Sequence, residues 1–113
     1  MIANCKAELI FEGEFDEREA MECRDRGYRS HVWVELAEGR RYPVVFYDVT
    51  RLQQDLQEEM KSGDGFIAEP GLIVLPEVTL ENMKKAVCRL AEEGFFEALR
   101  PTSVDVDAGT TAR

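Results

Sequence analysis

The fold is decided by the stretch His31–Val49, HVWVELAEGRRYPVVFYDV. Apolar and polar side chains alternate over residues 31–37, which is the pattern of a half-buried strand. Residues 38–40 interrupt this alternation, and residues 42–49 resume a run rich in β-branched and aromatic side chains. Two such runs separated by a short glycine-containing segment predict a β-hairpin.

The length of the hairpin loop determines which residues face each other. We predict a three-residue loop, 38–40, because it brings the apolar residues of both strands onto one face. The resulting pairs are Leu36 with Tyr42, Val34 with Val44, and Val32 with Phe46. The same register gathers His31, Trp33, Val45 and Tyr47 on the opposite face. A two-residue loop is the alternative, and it would exchange the faces of the second strand.

Two helices and one more strand follow the hairpin. A helix is predicted from Thr50, with a narrow apolar stripe that suits the edge of a domain and an acidic surface. The stripe is Val49, Leu52, Leu56 and Met60, and the acidic surface is Asp55, Glu58 and Glu59. The unbroken apolar run 72–75 predicts a strand buried on both faces. A broad apolar arc predicts a core helix that is capped by Thr79 and ends before Gly94.

These elements predict an α+β fold. We expect a small two-layer sandwich over residues 28–100, with the order β-β-α-β-α and a mainly antiparallel sheet that carries two helices on one face. Residues 1–27 are expected to form a partly ordered acidic N-terminal arm, either a loosely docked helix or a tether. Residues 101–113 are expected to form a flexible tail. Met21 is an alternative translation start to Met1.

Charge and composition exclude several classes of protein. The 113 residues carry 23 acidic and 14 basic side chains, a net charge of −9, which opposes binding to a nucleic acid backbone. No apolar run approaches the roughly 20 residues of a membrane span. The odd number of widely spaced cysteines (Cys5, Cys23 and Cys88) disfavours disulfides and predicts three free thiols in a cytoplasmic protein. Residues 69–79 have the character of a bacterial domain.

The sequence lacks the parts of a catalytic or metal centre. His31 is the sole histidine, and the serines Ser30, Ser62 and Ser103 lack the sequence context of a nucleophile elbow. Neither a zinc nor a calcium pattern occurs, and we expect no cofactor and no metal. Asp48 follows the hairpin, where a carboxylate suits either a helix cap or a binding role.

The aromatic hairpin face is the strongest candidate for a binding surface. We expect it to comprise His31, Trp33, Val45, Tyr47 and Asp48, since tryptophan and tyrosine anchor many interfaces. The N-terminal arm could instead cover this face through Leu9, Ile10 and Phe11. The sequence favours a non-catalytic interaction module, either a homodimer or a binder of a basic protein. The alternative is a small-molecule-binding protein or minor enzyme that uses the same face.

Overall fold

The hairpin forms the centre of the sheet in a computed structural model that describes residues 5–101. Its strands are β2 (Tyr28–Leu36) and β3 (Arg41–Asp48). The other elements, in chain order, are β1 (Ala7–Phe11) and α1 (Glu17–Arg26) before the hairpin, then α2 (Val49–Ser62), β4 (Leu72–Leu75), α3 (Leu80–Glu92) and a 3₁₀ turn (Phe95–Ala98). The predicted flexible tail lies outside the described residues, apart from Pro101.

The sheet is mixed and its strands lie in the order β1-β2-β3-β4. The first two pairs are antiparallel, and β3 pairs with β4 in parallel. Among the described residues the fold is therefore a small α+β domain with four strands and three helices. The predicted fold class is confirmed, while the predicted order lacked β1 and α1 and the antiparallel character holds for only part of the sheet.

The predicted hairpin register is wrong by two residues. Val34 faces Tyr42 and Val32 faces Val44, because the three-residue loop is 37–39, one position earlier than predicted. The Leu36 N–H donates to the Arg40 carbonyl at 3.0 Å, and Gly39 closes the loop with a φ of 95°. A shift of two preserves the face of each side chain, so the predicted apolar face does form the core.

The core lies on one face of the sheet, which we call the first face. The hairpin contributes Val32, Val34, Tyr42, Val44 and Phe46 to it. The residues that pack against these are Cys23 of α1, Met83 and Val87 of α3, and, from β4 and the connecting segments, Ile73, Leu75, Val78 and Phe96. Thr79 caps α3, and the helix ends at Glu92, before Gly94, as predicted.

The helices do not share one face of the sheet, which corrects the prediction. None of the α2 side chains is fully buried, and the helix instead contacts Tyr47, which alternates with the core residue Phe46 along β3. The parallel β3–α2–β4 crossover therefore places α2 on the opposite, second face, whereas α1 and α3 cover the first.

Strand β4 is buried on one face only, contrary to prediction. It is an edge strand, and Val74 on the second face is 44% exposed. The turn before it has the positive φ and the closing hydrogen bond of a type II turn. Gly71 has a φ of 82° and the Leu72 N–H donates to the Glu69 carbonyl at 3.2 Å.

The cysteines also differ from the prediction of three free thiols. Cys5 and Cys88 form a disulfide between the start of β1 and α3, with Cα atoms 5.2 Å apart. The sequence did not indicate this pair, because its members are 83 positions apart. Cys23 stays free and buried, and burial raises the pKa of its thiol, an effect that Arg29 partly offsets. The prediction of a cytoplasmic location rested on three free thiols, and the disulfide removes that argument.

Candidate functional site

The second face of the sheet is fastened to α2 by a buried tyrosine. Strand β3 presents Tyr47 towards the helix, and its hydroxyl donates a hydrogen bond to Asp55 Oδ2 at 3.0 Å. Arg51 Nε donates to the other oxygen of Asp55 at 2.9 Å, and the Arg51 guanidinium lies 4.9 Å from the centre of the Tyr28 ring. Burial first, and the Asp55 carboxylate second, raise the pKa of Tyr47. The phenol therefore keeps its proton further into the alkaline range than an ordinary tyrosine does.

A groove of about 440 Å³ opens beside this contact, between α2 and the segment 64–69. We call it the acidic groove, because five of its lining residues carry carboxylates and none is basic. These five are Asp55, Glu58, Glu59, Asp64 and Glu69. Tyr47 lies at its base and Phe66 on its wall, where the phenylalanine is 62% exposed.

The negative charge of the acidic groove is largely uncompensated. Asp55 pairs with Arg51, but no other carboxylate of the groove forms a salt bridge within residues 5–101. Glu59 bends over the end of α2, where its Oε1 accepts a hydrogen bond from the Asp64 N–H at 3.1 Å. Glu58, Asp64 and Glu69 are exposed, so their charges face solvent around Phe66.

The structure separates the residues predicted to form one aromatic binding face. Trp33 lies opposite Pro43, whereas Tyr47 lies opposite Tyr28. Since Pro43 and Tyr47 are four positions apart on β3, the two aromatic positions are about 13 Å apart along the strand. Tyr47 is covered by α2 and Trp33 is not part of that contact.

Val45, Asp48 and His31, the remaining members of the predicted face, lie in three different environments. Val45 is buried. Asp48 is the N-cap of α2, and its Oδ1 accepts a hydrogen bond from the Arg51 N–H at 2.8 Å. His31 lies in a β-bulge with a φ of 57°, exposed to solvent, and its Nδ1 is 3.0 Å from Ser30 Oγ.

The predicted acidic surface is brought together around the groove, but sequence reasoning missed its partners. Asp55, Glu58 and Glu59 all line it. The missed residues are Asp64, Phe66 and Glu69, which follow Gly63 in a segment without regular secondary structure. The available signal was the short apolar stretch 66–68, which begins with a phenylalanine directly after Gly-Asp-Gly and ends before a second turn, Pro70-Gly71.

The described part of the chain offers no metal centre. Within residues 5–101 no group of three or more histidine, cysteine, aspartate or glutamate side chains is arranged to hold an ion. None of the helices in this range is both long and apolar enough to cross a bilayer. Comparison with protein-family models, with curated proteins and with solved structures finds no match for the chain.

Proposed function

We propose that this protein is a non-catalytic interaction module that binds a basic protein through the acidic groove. One observation carries the proposal: Phe66, an exposed phenylalanine, lies among five carboxylates in a groove without a basic residue. The combination matters more than the exposed ring alone, because a partner meets an apolar contact and uncompensated negative charge at one place.

The chemistry of the groove suits an arginine or lysine side chain from a partner. A guanidinium can lie over the Phe66 ring while it pairs with Glu58 or Asp64. The aromatic contact would hold the complex together, and the surrounding carboxylates would accelerate association with a cationic surface. The net charge of −9 extends this attraction beyond the groove.

The small-molecule alternative has less support. It requires Trp33 and Tyr47 to form one aromatic pocket, but α2 covers Tyr47 and Asp55 accepts its hydroxyl hydrogen bond. The polar groups assigned to that pocket are a solvent-exposed histidine and a helix cap, His31 and Asp48.

The test is titration with a synthetic octapeptide that contains four arginines, followed by nuclear magnetic resonance of the ¹⁵N-labelled protein. We expect amide shifts at Phe66 and Asp64, and an affinity that falls as salt is added. The variant Glu58→Lys/Asp64→Lys should weaken binding at least about tenfold. A matched control, Glu81→Lys/Glu92→Lys, changes the net charge equally on α3.

The two variants separate a site from general attraction. Equal weakening by both would show that only net charge acts, and would overturn the proposal. Phe66→Ser tests the aromatic contact, because it leaves every charge in place. Unchanged affinity in Phe66→Ser would remove Phe66 from the site.

Self-association is a second candidate, favoured by a row of apolar residues across the second face of the sheet. Ile10, Trp33 and Pro43 are cross-strand neighbours on β1, β2 and β3, and Pro43 is exposed. Stacking of two such rows would form a dimer. Sedimentation equilibrium of the wild type and of Trp33→Ser tests it: a dimer that the substitution dissociates supports self-association, and a wild-type monomer excludes it.

A further inference from the structure

Strand β1 presents a free edge of backbone hydrogen-bonding groups. It is the outermost strand at its end of the sheet within residues 5–101. The Glu12 N–H donates to the His31 carbonyl at 3.0 Å, and hydrogen-bonded pairs alternate along an antiparallel ladder. The N–H and C=O groups of Leu9 and Phe11 therefore point outward, away from β2.

A cavity of about 510 Å³ lies alongside this edge, between β1 and α3. Leu9, Phe11 and Phe15 form one wall, and Leu80 and Val87 of α3 form the other. We call it the β1 groove. An apolar channel flanked by an open strand edge and a helix fits a peptide that adds as a strand and places alternate side chains in the channel.

Both ends of the β1 groove are held in place. At one end the Cys5–Cys88 disulfide fixes β1 to α3. At the other end the rings of Phe11 and Phe15 stack with centroids 4.2 Å apart, and the Arg29 guanidinium lies 5.2 Å from the centre of the Phe11 ring. A preformed groove loses little conformational entropy when a ligand enters it.

The charge at the rim of the groove indicates what the occupant carries. Lys84 is the one basic residue among the residues lining the groove, and it is exposed. It forms no salt bridge within residues 5–101. Glu8 also borders the groove, but it alternates with Leu9 along β1, and its side chain belongs to the second face of the sheet. An incoming carboxylate therefore meets an unpaired cation.

We propose that the β1 groove binds an extended peptide segment of a partner protein, which adds to β1 as a fifth strand. Its alternate side chains are apolar and contact the half-buried Leu9, Phe11 and Leu80, and a carboxylate of the segment pairs with Lys84. This site lies at the opposite edge of the sheet from β4 and does not depend on the acidic groove.

The probe is an acetylated heptapeptide, Ser-Val-Thr-Val-Thr-Val-Asp, with a free terminal carboxylate, titrated into the full-length ¹⁵N-labelled protein. We expect amide shifts confined to β1, Phe15 and α3. Lys84→Glu should weaken binding about fivefold or more. Lys85→Glu, the matched control on the next exposed position of α3, should change affinity less than about twofold. A probe ending in asparagine amide should lose the difference between the two variants.

Two N-methylated probes test strand addition itself. Methylation of alternate amides on one edge of the peptide should abolish binding, whereas methylation on the other edge should leave it intact, because one edge alone faces β1. Equal effects of the two methylation patterns, shifts outside the β1 groove, or equal effects of Lys84→Glu and Lys85→Glu would overturn the proposal. So would concentration-dependent shifts of β1 without peptide, which would identify a second copy of the chain as the occupant.

Discussion

The Tyr47 hydroxyl donates a hydrogen bond to the Asp55 carboxylate across 3.0 Å, and this contact joins the second face of the sheet to α2. Since α2 has no fully buried side chain, apolar burial contributes less to its position than it does for α3. The position of α2, and with it one wall of the acidic groove, therefore depends on a polar contact.

Removal of the Tyr47 hydroxyl should destabilise the fold modestly. Tyr47→Phe deletes one part-buried hydrogen bond, and we expect the free energy of unfolding to fall by about 1 kcal/mol. Urea denaturation at neutral pH measures the change. Tyr28→Phe is the control, because the Tyr28 ring packs against Tyr47 with centroids 4.9 Å apart and the loss should stay below about 0.5 kcal/mol. Equal losses would contradict a specific role of the Tyr47 hydroxyl.

Alkaline pH should weaken the wild type more than Tyr47→Phe. Burial and Asp55 raise the pKa of Tyr47 above its ordinary value of 10.0. The unfolded chain therefore ionises first, and this stabilisation is complete below pH 10.0 and declines as the pH rises above it. The stability difference between wild type and Tyr47→Phe should narrow by up to about 1.4 kcal/mol per pH unit there. Parallel stability curves for the two proteins would contradict the raised pKa.

The turn before β4 should tolerate no side chain. Gly71 has a φ of 82°, and a Cβ there would lie 2.4 Å from the Pro43 carbonyl oxygen. Gly71→Ala should cost about 3 kcal/mol, from backbone strain and from displacement of β3. Gly39→Ala is the control because its φ is 95° with nothing within 4 Å of the Cβ, and it should cost about 1 kcal/mol. Thermal unfolding compares the two, and similar losses would contradict the close approach.

Local sequence patterns predicted the features that depend on residues close together in the chain. Alternation assigned Val32 and Val34 to the core face, and a shift of two residues preserved that assignment. The register itself failed because a three-residue loop needs its third residue in the left-handed region, and Gly39 meets this requirement only in the loop 37–39. The position of Gly39, rather than the number of loop residues, therefore determines the hairpin register.

Long-range contacts account for what the sequence could not predict. Residues 7–11 look like a short apolar segment until β2 provides a strand to pair with, and Cys5 meets Cys88 only after α3 has crossed to β1. The acidic groove has the same origin. Its predicted carboxylates lie on one helix face, but Phe66 reaches them because the segment 64–69 returns along α2.

Loss of a partly buried ion pair should lower the stability of the fold more than loss of a surface pair. Arg29 is 8% exposed, and its guanidinium donates to Glu19 and to the Glu12 carbonyl. Glu19→Gln removes the countercharge and should cost about 2–3 kcal/mol. Glu22→Gln is the control, since Glu22 forms only exposed pairs on the same helix and should change stability by less than about 0.5 kcal/mol. Chemical denaturation measures both, and equal effects would contradict a structural role of the Arg29–Glu19 pair.

Reduction of the Cys5–Cys88 disulfide should destabilise the protein and loosen β1. The disulfide joins residues 83 positions apart, so its loss frees a long loop in the unfolded chain and should cost about 2–5 kcal/mol. Cys5→Ser/Cys88→Ser should show the same loss of stability, and reductant should not change it further.

Thiol titration of the unfolded wild type should find one thiol before reduction, from Cys23, and three after it. Hydrogen exchange locates the effect: protection should fall first in β1, because the disulfide holds that edge strand to α3. Three thiols in the unreduced protein, or a wild-type stability that reductant leaves unchanged, would contradict the disulfide.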